Sequence, residues 1–257
     1  MAGVLSLQTI LTAGGGSGRP CLGIPPHVAS IRRRPPKSWG CGLLASAPLF
    51  DRLARRYEGW HLRHRVTAEN EERLVREAMR GAPRPCLEVG VGTGFFAAAA
   101  GCEAGVDPSL GMLSMAAGRV PLRVQGRGEA LPFASGSLGS VLVSVTLCFA
   151  DDPQMLLAEA SRALRPGGRL VACIVPRDTP WGRLYRSRGR LGHPLYRAAR
   201  FYTLREVRSM AEAAGLKAAS ALATLTYPPW GRPRPEKPRP PRGGEGFACL
   251  IAVKPGG

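Results

Sequence analysis

Apolar residues change their spacing along the chain, and each change marks an element. From about Ala47, residues Leu49, Phe50, Leu53, Ala54, Tyr57 and Trp60 recur at helical spacing, which predicts an amphipathic opening helix. Thr67 reads as the N-cap of a second helix, with Asn70, Glu71 and Glu72 in its first turn and Leu74, Val75, Ala78 and Met79 on its buried side. Gly81-Ala82-Pro83 stops it. Beyond that point short strand-like runs alternate with helical stretches. Strands are predicted at 84–89, 104–107, 122–125, 140–147 and 169–175, and helices at 95–100, 108–117, 153–164 and 203–214. Two late apolar segments, 218–226 and 247–253, flank a proline-rich stretch that excludes a central strand and reads as an exposed loop. Regular βα alternation predicts an α/β chain with a doubly wound, mostly parallel sheet. The two late strands bring the count to seven and form an antiparallel hairpin at one edge.

With 257 residues, 44% of them hydrophobic, the chain has the size and composition of one globular domain with appendages. No apolar run approaches the roughly 20 residues that span a bilayer. The formal charge of +18 raises the prospect of a nucleic-acid partner, but only four of the 36 cationic residues are Lys and the Arg are scattered. A GC-rich coding bias accounts for that pattern better than a basic binding stripe. None of the seven cysteines forms a C-x-x-C pair, and four lie in strand-like runs. They read as buried free thiols of a reducing compartment, not as zinc ligands or a disulfide framework. His61 and His64 lack a third ligand nearby, so no metal site is expected. Residues 1–47 carry no acidic residue and contain a GGGSG run and Arg32-Arg33-Arg34-Pro35-Pro36-Lys37. They read as a disordered extension or a start assigned too far upstream, with an organelle transit peptide as the alternative. The domain is expected over 48–257 in a cytoplasmic protein, with a lid inserted at about 176–202.

The most informative stretch is Cys86–Phe96, CLEVGVGTGFF, directly after the first predicted strand. A phosphate-binding P-loop would need a Lys after the glycines, and none is present. A dinucleotide loop needs G-x-G-x-x-G, whereas Gly90, Gly92 and Gly94 form G-x-G-x-G and Phe95 holds the third glycine's place. An acidic residue followed by x-G-x-G-x-G instead matches the S-adenosylmethionine loop. That cofactor carries an ammonium, a carboxylate and a sulfonium but no phosphate. Glu88 can support the cationic end, Gly90 and Gly92 keep the loop flat, and Asp107 at the end of the second strand can accept bonds from both ribose hydroxyls. Met112 follows on the next helix, where it can cover one adenine face.

On these residues the chain resembles the class I S-adenosylmethionine-dependent methyltransferases. Within them it is similar to the methyltransferase type 11 branch that includes the ubiquinone and menaquinone biosynthesis enzymes. Gly-Glu-Ala-Leu-Pro-Phe at 128–133 and Arg165-Pro166-Gly167-Gly168 match segments of that branch, and Thr146-Leu147-Cys148-Phe149 stands where it exposes residues beside the transferable methyl. Arg127 and Leu138-Gly139 depart from it, replacing acidic positions common in relatives. The resemblance implies a Rossmann-like fold and S-adenosyl-L-methionine as cofactor. It also implies cofactor contacts from Glu129, Ala130, Thr146 and Tyr57. Acceptor contacts are expected from Trp60, His61 and Cys148, and from Trp181, Tyr185 and Tyr202 of the lid, with Trp181 and Tyr185 equally readable as packing residues. No catalytic base is identifiable; in-line methyl transfer needs one only for a protonated nucleophile. Tyr227-Pro228-Pro229-Trp230 superficially resembles an N-methyltransferase motif, but it follows the fifth strand and reads as coincidence. The expected activity is methylation of a small-molecule acceptor. An RNA or protein methyltransferase using the basic surface is the alternative, and a non-catalytic interaction protein is less favoured.

Overall fold

The computed structural model describes residues 47–256, so all but the last residue of the segment expected to be an extension lies outside the described residues. Two helices, α1 (Ala47–Arg63) and α2 (Arg65–Ala78), precede the first strand. Then β1 (Cys86–Val89), α3 (Phe95–Ala100), β2 (Ala104–Asp107), α4 (Leu110–Met115) and β3 (Leu122–Gln125) alternate. β4 (Leu138–Ser144) leads into a short 3-10 turn, α5 (Pro153–Ala163) and β5 (Leu164–Ile174). The lid region carries α6 (Pro180–Arg190) and α7 (Pro194–Ala198), and α8 (Leu204–Ala213), β6 (Lys217–Thr224) and β7 (Phe247–Val253) complete the chain.

The seven strands form one sheet in the order β3-β2-β1-β4-β5-β7-β6. β1 to β5 are parallel, and β7 runs antiparallel to both β5 and β6. This is the Rossmann-like doubly wound sheet with an antiparallel edge pair. Both faces are covered, which explains why the parallel strands β1, β2 and β4 are buried at every position and do not alternate. In β4, Val141 and Val143 join the cluster that contains Leu157 and Leu250, while Leu142 joins the opposite cluster with Leu74, Leu113 and Phe247. The chain reverses direction across the sheet between β1 and β4, and the carboxyl ends of strands open there into a crevice.

Several local expectations are corrected. Thr67 is not a cap: it lies inside α2, buried, its hydroxyl 3.0 Å from that of Tyr227. The apolar run at 140–147 does not stay extended. β4 stops at Ser144, and Val145 takes φ 53°, a conformation costly for a β-branched residue. Cysteines also pair: Cys86 joins Cys102 and Cys173 joins Cys249, leaving Cys148 as the free thiol among the described residues. Cys173 and Cys249 face each other across β5 and β7, an adjacency that antiparallel register creates and sequence spacing conceals. The proline-rich connection does join β6 to β7, and it is pinned. Asn70 Nδ2 donates to Arg234 O, and Glu236 N donates to Asn70 Oδ1.

Candidate functional site

The glycine loop leaves β1 in the left-handed region at Gly90, Gly92 and Gly94, with φ of 69°, 52° and 80°. Gly90 also has no room for a side chain, since a Cβ there would meet Thr146 at 2.3 Å. The amides of Gly90 and Val91 both donate to Val106 O, at 2.7 and 3.0 Å, which holds the loop against β2. Asp107 completes the frame: its Oδ2 accepts from Gly92 N at 2.8 Å and its Oδ1 from Ser109 N at 2.9 Å. Burial raises the Asp107 carboxyl to about 6, against the lowering effect of these two amides.

These groups wall a small cavity of about 80 Å³ whose lining includes Gly90, Gly92, Asp107, Met112, Glu129 and Thr146. Thr146 donates to Ser144 O at 3.0 Å and reaches Gly90 O at 3.4 Å, which ties the end of β4 to the loop. Glu129 turns one oxygen to the amides of Asp151 and Asp152, while its buried Oε2 accepts no hydrogen bond and lies 3.7 Å from Arg127 Nε in an ion pair. Glu88 sits behind the loop, outside the lining. It is 1% exposed, and its carboxyl meets the Ala97 amide in the first turn of α3. Its Oε2 has no partner, and burial holds the group well above the usual carboxylate range. Gly94 caps α3, and the Ala130 amide donates to Arg127 O; neither residue lines the cavity.

A larger cavity of about 300 Å³ adjoins the first, and Tyr57, Val145 and Phe149 line both. The strained Val145 therefore stands in the partition, anchored by its amide to Cys173 O at 2.9 Å. Of the residues expected at the acceptor, Trp60, His61, Cys148 and Tyr185 line this cavity. Trp181 and Tyr202 do not. Trp181 is buried in the core, its Nε1 donating to Tyr227 O at 2.8 Å, and Tyr202 packs on the other face of the sheet. Tyr227 is equally structural, bonded to Thr67 and Trp181. Burial pulls His61 down to about 4, so it is a neutral ring, stacked on Phe95 at 3.9 Å. Burial likewise pushes the Cys148 thiol up to about 12.

Sequence reading missed Glu71 in this cavity. It is 8% exposed, and burial alone raises its carboxyl to about 8. The Tyr57 hydroxyl is raised first by burial, then by the charges of Glu71, Cys148, Glu88 and Asp107. It therefore lies within electrostatic reach of the carboxyls of both cavities. Two further acids fasten α1 over the site. Asp51 accepts from Ser109 Oγ at 2.6 Å and Gly111 N at 2.9 Å, and Glu58 accepts from Arg119, which also donates to Thr93 O. Among the described residues no group of three or more His, Cys, Asp or Glu could hold a metal ion, and no helix is long and apolar enough to cross a membrane.

The residues present fit a nucleoside sulfonium. Carboxyls at the ends of β1 and β2 and the partnerless Glu88 Oε2 supply acceptors for its hydroxyls and cationic groups, and the glycine loop, which has no room for a Cβ at Gly90, lets it lie against the main chain. Comparison with known proteins agrees. A methyltransferase domain model matches residues 87–172. An uncharacterised protein of Mycobacterium tuberculosis is 38% identical over 209 residues, which cover 77% of this chain and 73% of that protein. A solved SAM-dependent methyltransferase of Thermotoga maritima is 32% identical with TM-score 0.75, over 81% of this chain and 99% of that one. The demethylmenaquinone methyltransferase of Mycolicibacterium paratuberculosis is 36% identical, over 49% of this chain and 58% of that enzyme. The chain belongs to the class I S-adenosylmethionine-dependent methyltransferases, and S-adenosylmethionine is its cofactor.

Proposed function

We propose that the protein methylates a small-molecule acceptor held in the larger cavity, with the cofactor bound along the glycine loop. One observation carries the reading: the two cavities share a wall at Tyr57, Val145 and Phe149, so a nucleophile in one can face a methyl group presented from the other. Bound S-adenosylmethionine supplies an electrophilic methyl on a cationic sulfur. Asp107 would accept from the ribose hydroxyls while keeping its bonds to Gly92 and Ser109, because each carboxylate oxygen has a second lone pair. Glu88 and Tyr57 would support the amino-acid end, and Met112, Glu129 and Thr146 the adenine and methyl flanks. Gly94 and Ala130 would act through loop and turn shape. α1, α6 and α7 wall the acceptor site, so that a bound acceptor is positioned for in-line attack. A cavity of about 300 Å³ is of the size that holds small molecules, which supports this reading.

Two measurements test this. Asp107→Ala should weaken S-adenosylhomocysteine binding about tenfold to a hundredfold, the loss expected for charge-assisted bonds worth ~1.5–3 kcal/mol. Calorimetry reads that, and an unchanged affinity refutes the ribose assignment. Incubation of cell extract with methyl-labelled cofactor should place label in the small-molecule fraction. Label confined to RNA or protein would favour the macromolecular alternative.

A further inference from the structure

Glu71 stands apart from every other acid of the site. It faces the larger cavity, 8% exposed, and among the described residues no donor or cation is bonded to it. Leaving a carboxylate buried and unpaired is unfavourable by several kcal/mol, so such a group awaits a cation or a proton. The walls around it include Tyr57, Phe96, Tyr185 and Tyr196, and aromatic faces attract an ammonium. Arg56, Arg63 and Arg188 line the same cavity and are exposed, at its mouth. They repel a bare cation there and favour an anionic group.

We propose that Glu71 is the acceptor-facing base, and that the acceptor is a compact amine with a carboxylate or phosphate at its far end. The inference rests on the methyl-transfer reading above and names its substrate class. The ammonium seats against Glu71 among the aromatic rings, and the anionic end meets the arginines. Glu71 then takes one ammonium proton. The freed nitrogen lone pair forms the N–C bond as the C–S bond breaks, and that electron pair stays on sulfur as a neutral thioether. The product leaves as a methylammonium, and Glu71 returns its proton to water.

The neighbouring groups do not compete for this role. From α1, His61 stays neutral near pH 7 with a pKa of about 4, and the Tyr57 hydroxyl is held protonated. Cys148, at about 12, is a thiol. Tyr185 from α6 and Tyr196 from α7 are both raised by burial, with the charge of Glu71 adding to each. His193, before α7, is lowered by slight burial and by Arg56 and Arg188. Glu71, raised by burial to about 8, is poised near neutrality, where a general base works best.

The test uses protein saturated with S-adenosylhomocysteine and two isosteric probes, 4-(2-aminoethyl)benzoate and 4-(2-hydroxyethyl)benzoate, measured by calorimetry. The wild type should bind the amine at least about tenfold more tightly than the alcohol, and that preference should fall as pH drops through the Glu71 range. Glu71→Gln should abolish the preference, and Glu71→Asp should keep part of it. Unchanged affinity for S-adenosylhomocysteine certifies that both variants are folded. Equal binding of the two probes, or no amine binding at millimolar concentration, overturns the proposal while leaving the methyl-transfer reading intact. Failure of S-adenosylhomocysteine to bind overturns that reading, and the base assignment with it.

Discussion

Glu71, Glu88 and Asp107 bring three carboxyls into or behind one site, and burial raises all of them. A carboxyl raised in the folded state keeps a proton that the unfolded chain has released, so stability falls as pH climbs from the unfolded value to the folded one. For Glu71 that window runs from 4.5 to about 8. The penalty is absent below the window and complete above it. Glu71→Gln removes the titration while keeping the shape. It should leave stability unchanged near pH 4.5 and raise it by ~2–5 kcal/mol at about pH 8 without ligand. Denaturant unfolding of both proteins at the two pH values checks this, and a gain equal at both would show that burial of this acid is not the cause. The stripe was available in the sequence: Glu71 precedes Leu74, Val75 and Ala78 by three, four and seven positions, on the helix face that reads as buried. Treating it as first-turn polarity hid it. Shifting the helix start from Thr67 to Arg65 moves Glu71 out of the first turn and leaves the face assignment to decide.

Elements divide by how local their instructions are. The glycine loop was legible because its requirement is local: left-handed φ after an apolar strand, with carboxylates at fixed offsets. The same holds for α8, where Thr203 and Glu206 form a reciprocal capping box, and for α5, which opens on Asp152 and Pro153. α6 shows the opposite case. Its aromatic residues carry no local sign of whether they face core or cavity, and the structure splits them. Trp181 packs against Gly246 and the Tyr227 carbonyl, while Tyr185 points into the larger cavity. Trp181→Ala should therefore cost ~3–5 kcal/mol of stability, as large core truncations do. Cofactor affinity should change little at temperatures where the variant stays folded, since Trp181 lines neither cavity. Thermal unfolding with and without S-adenosylhomocysteine checks both halves. A near-native unfolding temperature with impaired methyl transfer would return Trp181 to the acceptor side.

At the scale of the whole molecule, the work is shared between two sets of elements. The cofactor cradle is built from the carboxyl ends of β1, β2 and β4 and from the loop and helix that follow β2. The acceptor chamber is built from α1, α2 and the lid helices α6 and α7, which sequence separates widely. That separation is why the cradle was readable in the chain while the chamber was readable only in part: Trp60, His61, Cys148 and Tyr185 were expected there, and Glu71 was not. Its walls are far apart in the chain and are held together by tertiary contacts, among them the bonds from Ser109 and Gly111 to Asp51 that fasten α1 at the start of α4. The division makes a sharp prediction at Tyr196, which stacks on Tyr185 at 4.4 Å and on His193 at 4.4 Å to close the chamber. No residue between 176 and 202 lines the cradle. Tyr196→Ala should therefore lower kcat/KM for the acceptor by at least about tenfold, a loss of ~1.4 kcal/mol in transition-state binding. Its affinity for S-adenosylhomocysteine should stay within about twofold of wild type. Tyr196 is half-buried in a five-residue helix, so its removal also leaves global stability nearly intact. If cofactor affinity fell in step with kcat/KM, lid and cradle would be one coupled unit, and the division between the two cavities would have to be abandoned.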